Sequence, residues 1–493
     1  MTRILRVWPL ALLVVGCLAS LPWLAHPWYD TANEDASIYL LCARSLAEGK
    51  GYSYLGMPFN MRPPGFSAIL APLVAARGFD FHAINLLVGA FGVALVVSLF
   101  VVARPRVGTL LAFVLAAVAW LSPAMRSLSN RAMSDVPGAA LLFACLAIEL
   151  RARKSRSARA DLGLGLAIAA ATYVRTVNVF VAPTILVSRW LDRETRANAL
   201  KSAPAILGLP LLLLAPWVVR DALSHPPRPV DQTASASYAT ALFHEDWGDP
   251  SSPRIPMGAF LARAPDHLSL AFAAIGRRLE PGSFRALDAW LGALVIAALV
   301  AAAIRKRGVA ELFALLALLE LAVHFAYNDR LVLPIALVGL VALVEGVRDL
   351  LGRVVPSAIA SGTTAALLLA LLAHDFDPRP AWPRIEAEYR ARRELADAWK
   401  ASLPQDVRLA STVGWHWSVF LERPVYSLLF AARRAGGPAG ASPLFAKYGI
   451  DAVILRVDPP EDPAFAEYLS RTLGPPAVVG PPGAQGAIFR VRR

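Results

Sequence analysis

Glu34 and Asp35 stand together at the head of an apolar–polar repeat over residues 35–48, with apolar side chains at Ala36, Ile38, Tyr39, Leu41, Cys42 and Leu46. That repeat predicts a helix, so the acidic pair falls where free backbone N–H groups and the helix dipole favour negative charge. A carboxylate held there can act as general base on an acceptor hydroxyl. Either residue fits; the plainer alternative is that Asp35, or Asn33 before it, only caps the helix. Asp135, in Ser134-Asp-Val-Pro137 ahead of an apolar run, is a second acidic candidate, again with helix capping as the alternative.

Three arginines complete the set. Arg62 precedes Pro63-Pro64, Arg175 closes Thr172-Tyr-Val-Arg175, and Arg330 precedes Leu331-Val-Leu-Pro334. Each adjoins apolar sequence, where a cation is costly unless a partner or ligand meets it. Guanidinium suits bidentate binding of phosphate. A neighbouring carboxylate is the alternative partner, Asp329 for Arg330; Arg175 has no acidic residue near it in sequence.

Other chemistry is thinly represented. The 8 histidines show no metal-ligand spacing, although His244-Glu-Asp246 is a possible metal-binding run. No cofactor is firmly implied, and a divalent metal on the carboxylates stays open. Cys17, Cys42 and Cys145 suggest no disulfide framework.

These candidates need elements to position them. Of 493 residues, 56% are apolar and 17% charged, against about 25% charged in soluble domains. Apolar runs at 7–25, 82–103, 107–124, 136–150, 203–219, 287–304, 309–326, 331–347 and 355–373 have the length of membrane spans. Residues 160–188 lie between two basic loops and so cross an even number of times, as two short or bent helices meeting near Arg175. The total is about eleven spans. The net charge of +13 comes from short basic loops such as 151–159, 189–201 and 305–307. That is the pattern of cytoplasmic loops, not of a nucleic-acid-binding surface.

The expected fold is an all-α polytopic membrane domain over residues 1–373, followed by a small α/β extracytoplasmic domain over 374–493. The N-terminus is cytoplasmic on this reading and the protein is multi-pass in the cell membrane. Segments 26–81, 125–135 and 220–286 then face outward with the tail. The first carries two helices lying along the membrane surface, at 35–48 and from Pro63-Pro64 to Ala76. In the tail, 407–411, 452–457 and 487–491 read as strands and 465–473 as helix.

With that topology, three motifs of the first outer loop form a family pattern. Asp35-Ala-Ser-Ile-Tyr39, Ala43-Arg-Ser-Leu-Ala-Glu-Gly49-Lys-Gly51-Tyr52 and Arg62-Pro-Pro-Gly65 resemble that loop in GT-C type membrane glycosyltransferases. The nearest branch is that of the bacterial relatives of protein mannosyltransferases and of the lipid A aminoarabinose transferase. Ser134-Asp-Val-Pro137, Tyr173-Val-Arg175 and Asn328-Asp-Arg330-Leu-Val-Leu-Pro334 are similar to later motifs of that family, so the resemblance spans roughly residues 30–340.

It implies transfer of one sugar from a polyprenyl-phosphate donor to a lipid, glycan or protein acceptor outside the membrane. Asp35, or Glu34, would be the base and Asp135 its assistant. Arg62, Arg175 and Arg330 would meet the lipid phosphate, with Tyr39 and Tyr52 as further substrate contacts. A secondary transporter or a non-catalytic membrane subunit of an envelope polysaccharide system is the rival reading. A transporter of this size would be expected to carry inverted repeats, and no internal repeat is evident.

Overall fold

The computed structural model describes residues 4–31, 34–224, 231–232, 237–246, 248–277, 285–374 and 382–491; Asn33, the alternative cap, lies outside them. The chain opens with α1 (Ile4–Leu24) and α2 (Glu34–Ala47). A short hairpin, β1 (Ser53–Tyr54) with β2 (Met57–Pro58), leads to α3 (Gly65–Arg77). The two helices expected within residues 26–81 thus lie within a residue or two of their expected limits. Pro64 sits at the cap position of α3.

The helical body follows: α4 (Phe81–Val107), α5 (Thr109–Leu121), α6 (Pro123–Ser129), α7 (Asp135–Ser155) and α8 (Ala158–Val174). Asp80 caps α4 by accepting from the Ala83 N–H at 3.0 Å. α8 stops at Arg175, which is extended (φ −152°, ψ 118°). The chain resumes as a 3-10 turn over 176–180 and then α9 (Val181–Leu191), so the break expected in this stretch falls on the arginine itself. α10 (Arg196–Ala203) runs through a π-helical turn into α11 (Leu209–Leu223). The second long loop carries α12 (Tyr238–Phe243), α13 (Met257–Leu261) and α14 (Arg263–Arg277). α15 (Arg285–Lys306), α16 (Val309–Val323), α17 (Leu333–Leu351) and α18 (Ser357–His374) complete the body.

Among the described residues, four helical stretches are long and apolar enough to cross a membrane: 81–107, 196–223, 287–306 and 329–351. α5 and α6, bent by 57° to one another, pass the same test only if taken together as one span, and shorter apolar helices include Trp8–Leu24, Thr176–Leu191 and Ser357–Ala370. Leu12, Val15, Leu18, Leu211, Leu212, Val218, Trp290, Leu294, Ile359 and Leu367 are exposed on α1, α11, α15 and α18. Apolar faces this extensive are costly in water and suit lipid.

Beyond the body come α19 (Trp382–Ser402), β3 (Leu409–Ser411), α20 (Gly414–Leu421), β4 (Val425–Ser427), α21 (Leu429–Arg434), α22 (Pro443–Tyr448), β5 (Ala452–Asp458), α23 (Pro463–Leu473), β6 (Ala477–Val479) and β7 (Gln485–Arg490). The strands form one mixed sheet in the order β4-β3-β5-β7-β6. β3 is parallel to β4 and β5, and β7 is antiparallel to its neighbours. β4 and β6, three residues each, were not expected from the sequence; so short a strand leaves no periodicity to read. α20 packs against α2, so the sheet region is anchored on the segment between α1 and α4.

Candidate active site

Asp35 lies in the first turn of α2, and Tyr39, one helical turn on, shares its face. Arg62 arrives from the segment between β2 and α3, and its Nη2 donates to Asp35 Oδ1 at 2.6 Å. Arg330, in the 3-10 turn that precedes α17, donates to the other carboxylate oxygen of Asp35. Its Nη1 also lies 3.5 Å from Asp135 Oδ2, and Arg175 Nη1 lies 2.9 Å from Asp135 Oδ1. Arg62, Asp35, Arg330, Asp135 and Arg175 therefore form an unbroken chain of alternating charge, drawn from five separate elements.

Close approach of backbones makes this chain possible. A Cβ on Gly138 would fall 2.8 Å from Arg175 Cδ, so glycine lets that side chain lie across the start of α7. A Cβ on Gly65 would fall 2.4 Å from the Tyr173 carbonyl oxygen, so α3 meets the end of α8 nearly backbone to backbone. Asn178 Nδ2 donates to the Gly138 and Ala171 carbonyls at 3.1 and 3.0 Å, which fixes the break around Arg175.

Two of the plainer readings are corrected. Asp135 is not a cap: Ser134 holds the cap position, makes no side-chain cap bond, and its Oγ meets the Tyr39 hydroxyl at 2.8 Å. Nor does Arg330 pair with Asp329, which is instead taken by Arg277 at 2.6 Å. Adjacent residues in an extended or 3-10 segment point apart, so each finds a partner from another helix.

The site is buried and densely charged. Asp35 and Asp135 are 6% and 3% exposed, so their charges depend on the arginines rather than on water. Burial alone would raise the Asp35 carboxyl, but the charges of Arg62 and Arg330 outweigh it and bring it down to about 2. Half-buried Glu34 moves the other way, raised by burial and then by the adjacent Asp35 charge. Three guanidiniums face two carboxylates in the chain itself. Arg62 Nη1 and Arg330 Nε make no hydrogen bond among the described residues, and the two Asp135 oxygens make none either, being held by ion pairs to Arg175 and Arg330 alone. Buried donors without acceptors are costly, and they suit an incoming anion. A divalent cation, by contrast, would have to displace a guanidinium to reach Asp35.

Tyr39 stacks under Arg62, whose Cζ lies 5.5 Å from the ring centroid. Tyr52 does not join this cluster. Its hydroxyl meets the Pro63 carbonyl at 3.3 Å and its own carbonyl accepts from Arg220 Nη2 at 2.7 Å. Arg220 also donates to the Phe59 carbonyl at 3.0 Å and to Asn60 Oδ1 at 3.2 Å, so it fastens the hairpin. Its position at the end of an apolar run is the signal that marked Arg175 and Arg330, and the sequence reading passed it over. His244 Nδ1 contacts the Ser252 carbonyl at 2.8 Å, and Asp246 pairs with Arg434 at 2.6 Å. No metal-ligand group of three occurs among the described residues.

Known proteins with this arrangement of helices have been solved. The chain resembles ArnT from Cupriavidus metallidurans bound to undecaprenyl phosphate, with a TM-score of 0.61 over 98% of each chain at 15% identity. The fold is that of the GT-C glycosyltransferases. Residues 61–219 match the family described as dolichyl-phosphate-mannose-protein mannosyltransferase, a stretch that holds Arg62, Asp135 and Arg175. A second GT-C structure, the apo oligosaccharyltransferase of Archaeoglobus fulgidus, has a TM-score of 0.56 at 12% identity and covers 92% of this chain and 70% of that one. The same archaeal enzyme in complex with an inhibitory peptide and a dolichol-phosphate gives 0.52 at 12% identity, over 92% and 70%. No curated protein sequence matches the chain.

Proposed function

We propose that the chain transfers a single sugar from a polyprenyl-phosphate-linked donor to an acceptor hydroxyl or amine at the outer face of the membrane, with Asp35 as general base. The observation that carries this is the alternating charge chain itself, which buries Asp35 against Arg62 and Arg330 and leaves Arg62 Nη1 and Arg330 Nε without acceptors among the described residues. The undecaprenyl phosphate in the ArnT structure and the dolichol-phosphate in the archaeal one support a lipid phosphate as the anion. On this reading the helices make eleven crossings, and the sheet region stands outside with α2 and α3.

At about 2, Asp35 is ionised but weakly basic. Donor phosphate oxygens compete for Arg62 and Arg330. As the guanidiniums turn to the phosphate, Asp35 loses the contacts that depress it, and its basicity rises once the donor is bound. The acceptor oxygen or nitrogen then bonds to the sugar C1 and gives its proton to Asp35. The bond from C1 to the phosphate oxygen breaks, with its electron pair left on the lipid phosphate, where the arginines stabilise it. Asp135 holds Arg330 and Arg175 in place, and Glu34, whose burial raises its pKa, is the alternative base.

The test uses wild type and Asp35→Asn in lipid nanodiscs with radiolabelled polyprenyl-phosphate sugars and a cell-envelope extract. Transfer of label by wild type alone is the expected result. Equal transfer by folded Asp35→Asn would move the base to Glu34 or Asp135.

A further inference from the structure

α2 presents two working faces. Asp35 and Tyr39 look into the arginine chain, while Ser37, two residues on, lies about 200° around the helix from Asp35. On that second face stands α20, from beyond the helical body. His416 Nδ1 lies 3.0 Å from Ser37 Oγ and 3.0 Å from the Tyr29 hydroxyl, and those two oxygens are 2.6 Å apart. All three side chains are buried, at 6%, 0% and 3% exposure. Burial, with the charge of Arg392 added, holds the His416 pKa well below its ordinary value, so the ring is neutral.

Further contacts repeat the attachment along the helix. Trp415 and Phe430 pack with Ile38 and Cys42, and Arg44, in line with Ser37 two turns on, meets Glu422 Oε2 at 3.2 Å. The active-site face makes no use of His416. A buried histidine that bonds a serine and a tyrosine from the first outer loop fixes how α2 is rotated about its axis, and Asp35 turns with that axis.

We infer that His416 is a positioning residue for Asp35, and that the C-terminal region sets the rotation of α2 through the His416–Ser37–Tyr29 contact. The inference rests on Asp35 acting at the proposed site. A helix clamped only from its active-site side would depend on ion pairs that the donor phosphate itself disrupts. The contact with His416 is independent of those pairs, so α2 keeps its orientation when Arg62 and Arg330 turn to the substrate.

The experiment compares His416→Phe, His416→Asn and His416→Gln with wild type in nanodiscs, using turnover of a polyprenyl-phosphate sugar and hydrogen exchange of residues 34–47. His416→Phe is expected to lower kcat about ten- to a hundred-fold, the scale of a small misplacement of a reacting group. The KM for the donor should hold, and exchange in α2 should quicken. Asn places its amide near the Nδ1 position and should restore both readouts, whereas Gln reaches past it and should not. Glu467→Ala, on the exposed face of α23, is the control expected to match wild type. Unchanged kcat and exchange in folded His416→Phe, or equal rescue by Gln, would overturn the inference. If wild type turns over no donor offered, or if Asp35→Asn stays active, it is the transferase or base reading that fails. Exchange over 34–47 alone then decides the positioning role.

Discussion

The two ends of α7 hold buried charge in opposite ways. At its start, Asp135 belongs to a chain of three guanidiniums and two carboxylates in which Arg62 Nη1, Arg330 Nε and the Asp135 oxygens all lack hydrogen-bond partners among the described residues. About 21 Å along the helix, Glu149 meets Arg189, whose Nε donates to it at 2.9 Å while Nη1 donates to Asp161 and Ser202 at 2.8 and 2.9 Å. Ser202 in turn donates to Asp161 at 2.8 Å. Here two carboxylates enclose one arginine and its donors have acceptors. A second cluster, where Arg106 meets Glu311 at 2.6 Å and Glu345 at 2.8 Å and Lys306 also meets Glu345, balances two cations with two anions. The clusters far from Asp35 tie helices together by mutual ion pairs; on the proposed function, the one at the start of α7 also receives an anion.

The largest effect that would sharpen this contrast is loss of catalysis at the start of α7 and α2. Asp35→Asn should lower kcat by about a thousand-fold, within the range for loss of a general base, with the folded yield unchanged. Residual turnover near wild type would break the contrast at its centre. Next in size is the opposite end. Arg189→Met leaves Glu149 and Asp161 buried without their cation, at a cost of about 3–5 kcal/mol. It should lower the unfolding temperature clearly, yet leave the affinity of surviving folded protein for undecaprenyl phosphate unaltered.

Arg330→Gln should do the reverse. Affinity for undecaprenyl phosphate should fall about ten- to a hundred-fold, the scale of one charge-assisted hydrogen bond, with a smaller change in unfolding temperature. Equal losses of affinity from Arg189→Met and Arg330→Gln would show that both ends are merely structural.

The smallest signal is in the pH profile. Free-protein groups govern kcat/KM, and those of the complex govern kcat. With Asp35 at about 2 before substrate binds, it adds no acid limb to kcat/KM in the neutral to mildly acidic range. In kcat its limb should lie at higher pH, because bound phosphate has drawn the arginines away. Removing one cation raises a carboxyl pKa, so Arg330→Gln should carry the limb of kcat/KM upward. A limb that stays put in the variant would count against Arg330 as the group that holds Asp35 down.

Much of this site was legible residue by residue. Asp35, Asp135, Arg62, Arg175 and Arg330 each stood out because a charged side chain beside apolar sequence needs an explanation, and all five meet. What they pair with was not legible. Asp329 looked like the partner of Arg330 by adjacency alone, and Ser134-Asp135 looked like a cap because the motif fits one. Tyr52, a substrate contact by the family resemblance, makes no ion-pair or hydrogen-bond link to the charge chain among the described residues and lies by the hairpin that Arg220 fastens. His416 gave no signal in Gly414-Trp-His-Trp417, where a histidine between tryptophans resembles ordinary core.

The amino-acid sequence by itself determined the apolar helices, the break near Arg175, the two helices between the first apolar run and the second, and the kinds of side chain available for phosphate and proton chemistry. These follow from hydrophobic periodicity and side-chain type, which act over a few residues. Only the tertiary structure decided which charges share a partner, which arginine donors stay unmatched, and that α2 is held from behind by a histidine nearly four hundred residues away. Such pairings depend on which helix ends become neighbours, and that is settled by the packing of the whole chain.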